Sequence, residues 1–228
     1  MAAKLKRGKK TTITGTNAGW RTVCRRHAEQ CASTEARKGW KTKDDESLPF
    51  NYRWEHVQAV AALALHLAEL TGADREIVEA AAWLHDVSKG EPSHGAAGAR
   101  AARTLLEQTD FPAEKIEAVA VAISRHVGLY RAPDALPLAP LEAAVLWDAD
   151  KLSKLGVQAL AYNMSMSFMR GLSLAQRREN LREFTESVLS RTVASMNTAP
   201  AGALAQQRYQ AMLDTLARWE REEENSHL

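Results

Sequence analysis

Residues 81–90 read Ala-Ala-Trp-Leu-His-Asp-Val-Ser-Lys-Gly, an apolar helical run that ends in a histidine, an aspartate and a lysine before a glycine breaks it. Adjacent residues on a helix point about 100° apart, so His85 and Asp86 can both reach one ion lying beside the last turn. Neutral imidazole and carboxylate are ordinary ligands for divalent metals. Lys89 follows His85 by four residues on the same face, where an ammonium can meet an anion held by that metal. The same residues also suit a plain helix end, with His85 favoured near the C-terminal dipole and Asp86 partnering Lys89. The rest of the chain decides between the two.

Alanine and leucine dominate the surrounding sequence, aromatic residues make up only 6 % of it, and strand-like alternation is scarce, so the expected fold is all-α. A chain of 228 residues suffices for one domain with a substantial core. Charge divides it unevenly. Residues 1–49 hold 12 Lys and Arg against 5 Asp and Glu, whereas the remainder holds 18 against 23. A basic arm and linker over 1–49 therefore precedes a mildly acidic domain over 50–228, and residues 1–19 read as a disordered, solvated tail. The arm leaves room for weak contact with nucleic acid, but the acidic domain is no strong nucleic-acid binder by charge. Cys24 and Cys31 are too few for a disulfide framework, no apolar run reaches membrane-spanning length, and the expected location is cytoplasmic.

In chain order, a helix is expected from Trp20 to about Lys38, with Cys24, His27 and Cys31 along one face. No fourth ligand is evident, so that face reads as packing rather than a zinc site. A second helix runs from about Asn51 to Leu70, its stripe Val57, Val60, Ala61, Ala64, Leu67 and Ala68 flanked by His56 near its start. The helix carrying His85 spans about 74–88. The next opens at Ser93 with His94 and a run of small residues that permits close backbone approach; another spans about 112–127 and ends at His126. After a proline-rich connection, a long helix is expected over 141–169, holding Trp147-Asp148-Ala149-Asp150-Lys151-Leu152. Asp148 and Asp150 sit 200° apart, so only one can face inward, and the apolar stripe favours Asp150. Two amphipathic helices, about 174–196 and 203–224, complete the chain as scaffold.

The order His56, His85-Asp86, Asp150 resembles the H…HD…D signature of the HD-domain superfamily of metal-dependent phosphohydrolases. Arg53-Trp54-Glu55-His56-Val57 is similar to the family's first-histidine helix, and His85-Asp86-Val87-Ser88-Lys89 to its HD-x-x-K form. Asp148 through Gly156 is similar to the D-A-D-[KR]-L-x-x-[LI]-G run of small bacterial members, and Asn197 through Leu213 to their closing helix. The resemblance covers about residues 50–228. It implies an HD-domain helical bundle and a divalent transition metal, one ion or two, held by His56, His85, Asp86 and Asp150, with His94 and His126 as the further ligands of a second ion. Histidine with carboxylate suits manganese, iron, cobalt, nickel or zinc alike. It also implies a small phosphorylated substrate, best a nucleotide, with Arg53, Lys89 and Lys151 as phosphate-binding cations and Asp86, Lys89 and His126 as catalytic groups. Asp86 or Asp150 is the candidate acceptor for a water proton, and His126 the candidate donor to the leaving oxygen. The HD-GYP signature is absent. Two other classes remain in view: a di-iron oxygenase on the same ligand set, and a nucleotide-sensing or nucleic-acid-associated regulator. A homodimer is compatible with the methionine cluster at Met164, Met166 and Met169.

Overall fold

The computed structural model describes residues 19–43 and 45–225, among which there is helix and no strand. Residues 1–18, most of the expected solvated tail, lie outside the described residues. Helix α1 (Trp20–Trp40) buries Trp20, Cys24, Ala28, Ala32 and Ala36, a stripe at every fourth position that lies on its neighbours α2 (Tyr52–Thr71) and α3 (Arg75–Leu84). Asn51 Nδ2 donates to Ser33 Oγ at 2.9 Å and Trp40 Nε1 to the Phe50 carbonyl at 2.8 Å, which fixes α1 against the start of α2. The basic segment thus contributes one wall of the core. Cys24 is fully buried, while Cys31 Sγ lies 3.7 Å from His27 Nε2, a contact within α1 with no further ligand among the described residues.

Asn51 caps α2 by accepting from the Trp54 N–H, and Gly72, at φ 76°, closes it in a conformation that side chains avoid. Asp74 accepts from the Glu76 and Ile77 N–H groups to open α3. This helix stops at Leu84, earlier than the sequence suggests, so that His85 and Asp86 stand in the turns that follow it. Helix α4 (His94–Leu106) lies against α5 (Ile116–Arg125) with glycine between them. A Cβ on Gly95 would come within 2.6 Å of Val127 Cγ2, and one on Gly98 within 3.3 Å of the His85 carbonyl. That close approach brings His94, at the start of α4, beside His126 at the end of α5, ring centroids 5.1 Å apart.

Helix α6 (Leu141–Leu152) runs through the middle of the molecule, with residues 143–152 all buried. The long helix expected over 141–169 is broken: α6 ends at Leu152, Gly156 takes φ 99°, and α7 (Val157–Met164) starts anew. Helix α8 (Leu174–Phe184) opens with a Ser173–Gln176 capping box, passes through a π-turn over 185–189 into the short α9 (Ser190–Ala194), and α10 (Ala199–Asn225) closes the chain.

Candidate metal centre

Four residues from three elements converge on one buried point. His56 comes from the first turns of α2, His85 and Asp86 from the turn after α3, and Asp150 from α6. The ligand atoms of His56, His85 and Asp86 all lie within 4.8 Å of one another. His56 Nε2 is 3.3 Å from His85 Nε2 and 3.3 Å from Asp150 Oδ1. Asp86 Oδ2 stands 3.8 Å from both imidazoles and, although buried, has no hydrogen-bond partner among the described residues.

The hydrogen bonds on the outer nitrogens assign the ring protons. His85 Nδ1 lies 2.8 Å from the Ala82 carbonyl, which can only accept, so Nε2 carries the lone pair. Ser153 Oγ spends its one proton on the Asp150 carbonyl at 2.6 Å and must therefore accept from His56 Nδ1 at 3.1 Å. Two imidazole lone pairs then face each other at 3.3 Å, an arrangement that needs a cation between them. A proton is the poorer choice. Burial lowers the His85 pKa to about 4 and takes that of His56 well below its ordinary range, so both rings are neutral near pH 7. Burial alone would raise the two carboxylates, but His85, His126 and Lys89 around Asp86, and Lys151 and Lys154 around Asp150, hold both well below the usual range. Neutral imidazoles and ionised carboxylates are the states that ligate a divalent metal, and the residues present fit one.

Asp86 reaches a second group of ligands. Its carboxylate, His94 and His126 form another cluster of ligand atoms within 4.8 Å, with Asp86 Oδ1 3.5 Å from His126 Nε2. His126 Nδ1 is held at 2.6 Å by the Ile123 carbonyl, so its Nε2, buried and without a hydrogen-bond partner among the described residues, also presents a lone pair. That state suits a ligand and does not suit the proton donor suggested by the sequence. His94 is only partly buried and has the Lys89 ammonium 3.5 Å from its Nε2.

The remaining candidates divide. Lys89 pairs with Asp86 at 3.1 Å and Arg53 with Asp86 at 4.0 Å, and both line the cleft above the ligands. Lys151 does not. Its ammonium is almost fully buried, donates to the His126 carbonyl at 2.8 Å and to Asp150, and lies outside the cleft lining; the position expected to bind phosphate instead braces two ligands. Lys154, four residues after Asp150 and bonded to it, lines the cleft in its place. The sequence offered a signal for Lys154 in that spacing, and none for Ser153 as the His56 partner beyond its position three residues after Asp150. Asp148 points away from the ligands, yet it is fully buried too, so both carboxylates lie inside where the periodicity allowed only one; α6 is enclosed on every side. Asp148 accepts from the backbone and side chain of Asn197, both at 2.8 Å, and from the backbone and hydroxyl of Thr198 at 2.9 and 2.8 Å.

Residues 53–155 match the family model of the HD domain. That segment carries an HD domain. Solved structures agree in fold across nearly the whole length of the chain. Bacillus subtilis YpgQ in complex with ADP is 23 % identical, with a TM-score of 0.59 over 86 % of this chain and 97 % of that one. An HD-superfamily hydrolase from Bacillus thuringiensis is 24 % identical, with a TM-score of 0.59 over 87 % and 97 %. A predicted HD-superfamily hydrolase from an uncultured Thermotogales bacterium is 23 % identical, with a TM-score of 0.54 over 86 % and 91 %. No curated protein matches the sequence. None of the described helices is long and apolar enough to cross a membrane.

The buried imidazoles predict an acid-labile, metal-free fold. His85 and His56 are depressed in the folded state, so the unfolded chain binds more protons once the pH falls below about 6.5, and stability is lost from there down toward pH 4. Asp86 and Asp150, held low in the folded state, add to the loss in the same direction from about pH 5 downward. The loss from His85 alone is about 3 kcal/mol between pH 7.5 and pH 4. Urea unfolding of chelator-treated protein across that range measures it, and a flat profile contradicts neutral, buried histidines.

Proposed function

We propose that this HD domain hydrolyses a phosphate ester or phosphoanhydride of a nucleotide or a related small phosphorylated metabolite, with His56, His85, Asp86 and Asp150 holding one divalent ion and Asp86, His94 and His126 a second. The observation that carries the reading is the pair of inward imidazole lone pairs beside the partnerless Asp86 oxygen, with Lys89 and Arg53 at the mouth of the same site. A divalent ion bound there supplies activation of water and neutralises phosphoryl charge. Lys89 and Arg53 orient the phosphate by charge-assisted hydrogen bonds and stabilise the negative charge that grows on it. Asp86, ionised and central to both ligand groups, takes the proton released by the attacking water. His56, His85 and His126 cannot serve as donors, because their single ring protons are committed to Ser153 and to two backbone carbonyls. The neighbour bound to ADP and a cleft of about 680 Å³, large enough for a nucleotide, support that substrate class.

Elemental analysis of the purified chain, beside His94→Ala, and a panel of nucleoside mono-, di- and triphosphates assayed for phosphate or pyrophosphate release test this reading. About two metal equivalents falling to about one in His94→Ala, with turnover of a nucleotide by wild type, is the expected result. No uptake of manganese, iron, cobalt, nickel or zinc overturns it. Metal uptake with oxygen consumption and no phosphate release assigns the site to oxidation instead.

A further inference from the structure

The cleft continues well past the metal ligands. Its lining follows one face of α2 through His56, Ala59, Leu63 and His66; ten residues of helix separate His56 from His66, about 15 Å along the axis. Its cations differ in how they are engaged. Arg53 and Lys89 pair with Asp86, and Lys154 with Asp150. Arg208 enters from α10, half-buried, and forms no ion pair among the described residues. One of its five donors goes to the Leu152 carbonyl at 3.0 Å, and its side-chain carbons lie close to Gly156, 3.5 Å from where a Cβ would stand. Burial already pushes its pKa down, the mark of a guanidinium with no acidic partner to repay its lost hydration. A planar fork of unspent donors on the wall of an anion-binding cleft is suited to a phosphate.

Resting on the hydrolase reading, we propose that Arg208 seats a second phosphate, remote from the one at the metal ligands, and so selects substrates with two or more phosphates over monophosphates. Arg208 meets α6 at the Leu152 carbonyl, two residues after Asp150, so its seat and the metal centre border the same end of one helix and the same cleft. A purely structural Arg208, tying off the last carbonyls of α6, would affect every ligand alike.

The test is calorimetric titration of the full chain, loaded with manganese, with inorganic tripolyphosphate and with orthophosphate. Wild type is expected to prefer tripolyphosphate, and Arg208→Gln to lower that preference about tenfold, the loss of one charge-assisted contact. Arg208→Lys should recover part of it. A preference unchanged by Arg208→Gln, equal weakening of both anions, or a wild type with no preference overturns the assignment. Failure to take up metal strikes the hydrolase reading instead, and the same ratio is then read on the metal-free chain, where Arg208→Gln must still lower it. Thermal melts of each variant confirm that the ratio is compared between folded proteins.

Discussion

Asp86→Ala is expected to remove metal binding and to lower kcat/KM for any hydrolysed nucleotide by about a thousandfold or more. No other side chain belongs to both ligand groups: Asp86 stands with His56 and His85 in one, and with His94 and His126 in the other. It also anchors the two cations at the mouth, Lys89 at 3.1 Å and Arg53 at 4.0 Å. Removing the carboxylate therefore disperses the ligands and releases the phosphate-orienting charges in one step. Asp86→Asn separates the two effects, since it keeps the shape and one acceptor oxygen but lacks the negative charge. Metal content and phosphate release, measured on the same preparations, decide the matter. Retention of both metal and turnover in Asp86→Ala would mean that the chemistry lies elsewhere.

The largest effect on stability is expected two residues before Asp150. Asp148→Ala should cost about 3 kcal/mol and lower the melting temperature by about 10 °C, because it strands four donors from Asn197 and Thr198 in a buried setting. No ammonium or guanidinium pairs with Asp148 among the described residues, and burial raises its pKa despite those four hydrogen bonds. The contacts are local to the start of α10, immediately before Ala199, and so fix the entry of the helix that carries Arg208. A melting temperature within about 2 °C of wild type would show that the clasp contributes little. Metal content, by contrast, should survive this substitution better than it survives Asp86→Ala, because Asp148 touches none of the ligands.

Most helices were legible from periodicity and caps, because Asn51, Gly72, Asp74 and Pro112 mark boundaries through local chemistry. The break at Gly156 was not, since an isolated glycine inside an apolar run reads equally as a tolerated helical residue. Nor was the early end of α3, where the helical pattern continues through Ser88 while the site requires His85 and Asp86 to leave the helix. That Asp150 and not Asp148 reaches the ligands followed from the 200° between them; that both are buried did not, because helix periodicity cannot show that α6 is covered on all sides. The fate of Lys151 did not: a lysine in a charged run ordinarily reaches solvent, and here burial lowers its pKa to about 8 while the His126 carbonyl and Asp150 hold it inside. Arg208 was invisible as a cleft residue because its role depends on how α10 crosses α6, a relation between residues more than fifty positions apart.

The full burial of α6 from residue 143 to residue 152 has a consequence for motion. Amide hydrogens along that helix can exchange with solvent only through opening that exposes the core, so Asp150 sits in the segment with the slowest expected exchange. Val127, Leu129, Tyr130 and Leu136, between α5 and α6, are exposed and have no helix to protect their amides. The molecule therefore pairs a rigid floor, which keeps one ligand immobile, with a neighbouring exposed segment tied down at single amides such as Arg131 and Leu138, where exchange needs no opening of the floor.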